Sequence, residues 1–99
     1  MARLDVFRLK DSDELLLDCQ SDVLSDLDTR FVVPLLPVAD LPRAISRLNP
    51  VFDIDGEHRV MATQGAATIP RRMIGERIRS LVEQHDVVIA ALDMLITGY

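Results

Sequence analysis

Two histidines, one cysteine and a set of arginines are the residues of this 99-residue chain that could do chemistry. A catalytic histidine needs a nucleophile or a proton partner within hydrogen-bond reach. His58 follows Asp55-Gly56, and His85 lies in a stretch with helical spacing. Neither has such a partner nearby in sequence, and their separation matches no metal-ligand pattern. They read as a surface hairpin residue and a helix-face residue. Cys19 is the one cysteine, so no disulfide can form within the chain. Arg71, Arg72, Arg77 and Arg79 could line a groove for a single strand, and Asp53 and Thr63 are residues of the type acid–base chemistry uses. No motif of that chemistry accompanies them. The residues therefore predict no catalytic group, no metal and no cofactor: a protein that binds, not an enzyme.

The charge supports that reading. The formal net charge is −5, whereas non-specific nucleic-acid binding needs a surplus of Lys and Arg against phosphate. A basic partner surface would suit it better. Met1 to Lys10 alternates charge with apolar residues and has no continuous apolar core, so no signal peptide is expected. No segment has the length of a membrane-spanning helix. The expectation is a cytoplasmic protein with Cys19 reduced. A chain of this length fits one domain over residues 1–99 with a limited core, and self-association is a natural supplement.

The elements that must position these residues change period along the chain. Leu4 and Val6 fall on one face of a first strand, Phe7 and Leu9 on the other, which predicts a bulge or burial on both sides. Lys10 to Asp13 is a polar turn leading to a second strand, with Leu15, Leu17 and Cys19 on one face and Leu16 on the other. Ser21 to Asp28 is acidic, with Val23, Leu24 and Leu27 embedded, and reads as a loop or one helical turn capped by Ser21 or Asp22. Phe31 to Leu36 is an apolar run in which Pro34 marks an edge, a bulge or a bend. Arg43 to Leu48 suggests a brief helix. Asp55-Gly56, between Val51–Ile54 and Arg59–Thr63, predicts a hairpin. Ala66 to Ile69 gives a short strand ended by Pro70. Leu81, His85, Val88, Leu92 and Leu95 then follow helical spacing, predicting a helix over about Ser80 to Ile96 with Gly98 at its C-cap. The fold class is α+β, mainly antiparallel β.

Several segments, taken in order, resemble the CcdB family of plasmid-addiction toxins. They are Asp18-Cys19-Gln20-Ser21-Asp22, Arg30-Phe31-Val32-Val33-Pro34-Leu35 and Asn49-Pro50-Val51-Phe52-Asp53-Ile54, then Met61-Ala62-Thr63, Ile69-Pro70 and Ala91 to Tyr99. None is specific alone; their ordered occurrence over nearly the whole chain carries the resemblance. It implies an SH3-like barrel of the CcdB/Kid/MazF type, a small second sheet, a C-terminal helix and a homodimer. It implies a target, the A subunit of DNA gyrase, trapped with cleaved DNA, and a CcdA-like antitoxin that neutralises the toxin. The gyrase-binding positions it carries over are Val23, Leu24, Asp93, Ile96, Thr97, Gly98 and Tyr99. The familiar pattern ends in Trp-Gly-aliphatic; here Thr97 stands at the Trp and Asp93 at an earlier Asn.

Each of these positions also has an ordinary reading. Thr97-Gly98-Tyr99 could be a frayed terminus. Leu81, Val88, Leu92 and Leu95 belong first to the core, with Ile89 and Ile96 widening the stripe toward a dimer seam. Val23 and Leu24 could be loop anchors. Two other functions stay open: an endoribonuclease toxin of the Kid/MazF type, and an inactive relative that only binds antitoxin.

Overall fold

In the computed structural model, residues 2–98 are described. The chain forms β1 (Asp5–Leu9), β2 (Leu15–Asp18), β3 (Thr29–Pro37), β4 (Val51–Ile54), β5 (Glu57–Met61), β6 (Ala67–Pro70), β7 (Ile74–Ser80) and α1 (His85–Thr97). Single 3-10 turns fill several of the connections. Every strand pairing is antiparallel, in the order β4-β5-β3-β2-β1-β7, with β6 beside the first half of β3. The sheet curls into a half-barrel, and α1 follows it. The separate small second sheet implied by the resemblance does not form among the described residues: β6 pairs with β3 and belongs to the one seven-stranded sheet.

Both faces of the sheet bury apolar residues, which explains the pattern of β1. Leu4 and Val6 join the main core with Leu17, Val33, Leu35, Met61 and, from α1, Val88 and Ala91. Phe7 joins Leu16 and Val32 in a smaller cluster on the opposite face, with Leu9, Ile69 and Ile74 against it. The irregularity lies in the partner strand. One step along β1, Val6 to Phe7, matches two along β7, Arg79 to Arg77; two steps, Phe7 to Leu9, match three, Arg77 to Ile74. Extra residues in one strand of a pair are bulges, and they re-aim side chains. Thus Ile78 packs on the main core and Ile74 on the smaller cluster.

The two turn signals also resolve. Pro34 sits where the neighbour of β3 changes from β6, paired up to Val32, to β5, paired from Leu35. Its carbonyl accepts from Ala62 N at 2.9 Å, and its missing N–H falls at the break between two partners. Asp55 (φ 54°) and Gly56 (φ 84°) form the turn between β4 and β5 with both residues at positive φ.

Two expectations need correction. The helix expected from about Ser80 starts later: Ser80 is the last residue of β7, Val82–Gln84 form a 3-10 turn, and α1 begins at His85. Leu81 has helical spacing to His85 and Val88, but it is buried in the main core from the end of the strand, before the helix begins. The brief helix expected at Arg43 to Leu48 does not form; Asn49 instead closes a loop there, its Oδ1 accepting from Ile45 N at 3.0 Å and its N donating to Ile45 O at 2.8 Å.

Candidate partner-binding site

The loop from Ser21 to Asp28 joins β2 to β3, and its first half is a 3-10 turn, Asp22–Leu24. Ser21 caps that turn through its hydroxyl, which accepts from Val23 N at 3.2 Å. Short 3-10 turns are marginal alone, and this one is tied from outside. Arg3 N donates to Asp22 Oδ1 at 2.8 Å, and the Arg3 guanidinium lies 3.5 Å from His85 Nε2, at the start of α1. Gln20 Nε2 donates to Leu24 O at 2.8 Å. The apolar side chains nevertheless point outward: Val23 is 90% exposed, and Leu24 and Leu27 are each 48% exposed. The loop-anchor reading of Val23 and Leu24 is therefore set aside.

At the base of the loop lies the one wholly buried ion pair among the described residues. Arg30 Nη2 meets Asp18 Oδ2 at 2.5 Å with both side chains inaccessible. Asp18 Oδ1 also accepts from Gln20 N at 3.1 Å. Arg30 Nε and Nη1 have no protein partner among the described residues. Cys19 lies between these groups. Burial first, then the nearby Asp18 charge, push its thiol up to about 12, against a lowering by Arg3. A thiol so held is protonated and inert at neutral pH.

The other candidate segment is the end of α1. Gly98 takes the left-handed conformation (φ 83°) as C-cap, its N–H donating to Met94 O at 3.0 Å. The Thr97 hydroxyl folds back onto Asp93 O at 2.7 Å, one turn earlier in the helix. Asp93, Ile96, Thr97 and Gly98 are all exposed, Ile96 at 74%. Tyr99 lies outside the described residues. The structure thus brings Asp93 to Gly98 together at one helix end and Val23 with Leu24 on one turn. Among the described residues no hydrogen bond or ion pair joins the two groups.

All but one of the residues considered for RNA cleavage make a hydrogen bond or ion pair within the fold. Thr63 is fully buried, its hydroxyl donating to Leu48 O at 2.5 Å. Asp53 Oδ1 accepts from Gly56 N at 2.9 Å to shape the hairpin turn. Arg77 pairs with Asp5 at 3.1 Å, and Arg79 donates to Asp53 O at 3.2 Å. The Arg71 guanidinium donates to Ser25 O. Arg72 has no carboxylate or hydrogen-bond partner among the described residues. His58 is exposed opposite Asp53, and His85 is exposed beside Asp86. No group of three or more potential metal ligands occurs among the described residues, and no helix there is long and apolar enough to cross a membrane.

Sequence reading missed Gln20, Arg3 and the Asp18–Arg30 pair. A signal was present for the pair: an acid and an arginine sit where two apolar strands meet one loop.

Known proteins place this geometry. Solved structures share the fold across nearly the whole chain. One is an endoribonuclease from mycobacterial species (TM-score 0.78, 12% identity, 97% of this chain and 90% of that one). Another is the Mycobacterium tuberculosis toxin MazF-mt6 (TM-score 0.77, 19% identity, 95% and 96%). A third is an endoribonuclease in complex with its cognate antitoxin, also from mycobacterial species (TM-score 0.77, 12% identity, 97% and 94%). At these identities the likeness is one of fold. The family model described as CcdB protein matches residues 3–98, and the chain belongs to the CcdB family of toxin–antitoxin toxins.

Proposed function

We propose that the protein is the toxin of a type II toxin–antitoxin module that binds the A subunit of DNA gyrase, traps the enzyme on cleaved DNA, and is neutralised by a CcdA-like antitoxin. The observation that carries this reading is the outward placement of Val23, Leu24 and Ile96 at positions that correspond to family contact residues. Exposed apolar side chains held on capped, hydrogen-bonded backbone suit recognition of a partner. Of the groups a nuclease could use, Thr63 is spent on Leu48, Asp53 on a turn, and Arg77 and Arg79 on neighbouring oxygens, which leaves Arg72 and His58 on the surface.

The same reading includes a homodimer. Helix α1 buries Val88 and Ala91 but leaves Val87, Leu95 and Ile96 exposed. A helix apolar on nearly all sides calls for a second cover. A two-fold dimer about this helix would supply it and present two tails to a two-fold target.

Expression in a sensitive host tests the proposal. A chain lacking Gly98 and Tyr99 should fold and be harmless, and alanine at Arg72 or His58 should leave toxicity intact. Toxicity that survives loss of the tail but disappears at Arg72 or His58, with RNA degraded in the cells, would favour the endoribonuclease reading instead.

A further inference from the structure

Gln20 and Arg71 are not themselves apolar contact candidates, yet both hydrogen-bond the backbone that carries Val23, Leu24 and Leu27. Gln20 is buried and its amide is used at both ends. Oε1 accepts from Phe31 N in β3 at 2.9 Å, and Nε2 donates to Leu24 O at 2.8 Å. Its own N–H is fixed on Asp18. The loop is thereby fused to the sheet at its base. On its far side the segment between β6 and β7 reaches across: Arg71 N donates to Asp28 O at 2.7 Å, and the Arg71 guanidinium donates to Ser25 O.

These ties have a consequence for Val23, Leu24 and Leu27. A loop free to move would turn such side chains inward, because apolar surface is driven from water. Here the carbonyls of Leu24, Ser25 and Asp28 are each held by a donor from outside the loop, so the side chains stay out. A surface ordered in advance loses less freedom on binding. We propose that Gln20 and Arg71 are positioning residues for partner recognition, fixing the 21–28 backbone so that Val23, Leu24 and Leu27 meet the partner in one pose. This inference rests on the reading of the loop as a partner-binding surface.

The test uses the full chain with Gln20→Glu, Arg71→Ala and, as references, Val23→Ala and Leu24→Ala. The change Gln20→Glu is nearly isosteric: it keeps an acceptor for Phe31 N and loses the donor to Leu24 O. Arg71 is exposed, so its alanine variant folds even if Gln20→Glu does not. Two readouts are taken: amide hydrogen exchange of residues 22–28 against Leu17 and Val33, and affinity for purified gyrase A subunit. Gln20→Glu and Arg71→Ala should each speed loop exchange by about tenfold or more while the core amides keep their rates. Both should weaken binding by roughly 5- to 30-fold, with Arg71→Lys restoring part of the loss. The alanine references should weaken binding with loop exchange unchanged. A loosened loop with full affinity would overturn the inference. So would lost affinity with an unloosened loop, which would make these residues direct contacts. Full affinity in both alanine references would overturn the loop reading itself and this inference with it; the exchange data would still report the clamp separately.

Discussion

Residue identities at two positions make opposite predictions about reactivity and binding. The first is Cys19. Its thiol is pushed up to about 12, chiefly by burial, so the folded state keeps the proton that the unfolded chain releases near 9.0. Folding then binds more protons than unfolding between those values, and stability falls as pH rises from about 9 toward about 12. Thiol reagents at neutral pH should leave the native protein untouched and label it only in denaturant; rapid native labelling would mean that the loop base opens. The second is Thr97, where the family pattern has Trp. Its hydroxyl is already spent on Asp93 O within the helix. Thr97→Trp should add about 1–2 kcal/mol of binding to an arginine-bearing gyrase surface, read by titration calorimetry. Unchanged or weaker binding would mean a pose in which this position does not face arginine.

At the scale of elements, legibility tracked how local each signal is. The Asp55-Gly56 hairpin and the Gly98 cap were readable because positive φ is written into the residue type. The two-sided burial of β1 was readable from its alternation. Strand β7 was not, because a bulged strand lacks the regular alternation of apolar residues, and only its pairing with β1 defines it. The same strand gives a sharp test. A Cβ added at Gly75 would lie 2.7 Å from Arg8 O and 3.4 Å from the Lys10 backbone. Both are main-chain atoms that cannot swing aside, so Gly75→Ala should destabilise by about 1–3 kcal/mol, measured by urea unfolding. Neutral stability would mean that the bulge relaxes without cost. Of the candidate site, the helix end was legible as a capped terminus. The clamp on the 21–28 loop was not, since Gln20, Leu24, Arg71 and Ser25 meet only after β2, β3 and the β6–β7 connection are in place.

For the whole molecule, the half-barrel is common ground between proteins named as endoribonucleases and this CcdB-family chain, and fold alone does not choose between their chemistries. The distribution of side chains does bear on the choice. Thr63 is buried and Asp53 shapes a hairpin turn, while Val23, Leu24 and Ile96 are turned out; Arg72 and His58 also lie on the surface, which is why they are the variants that test the nuclease reading. The acidic surface, with a net charge of −5, is ill suited to RNA and suited to a basic protein surface. The most direct measurement mixes the purified protein with gyrase from its own host, relaxed DNA and ATP, and looks for linear DNA after denaturation. Cleaved DNA that accumulates with the full chain and vanishes with the chain lacking Gly98 and Tyr99 is the result expected of a gyrase poison acting through its helix end. Intact DNA with the full chain, under conditions where the same preparation degrades RNA, would contradict it.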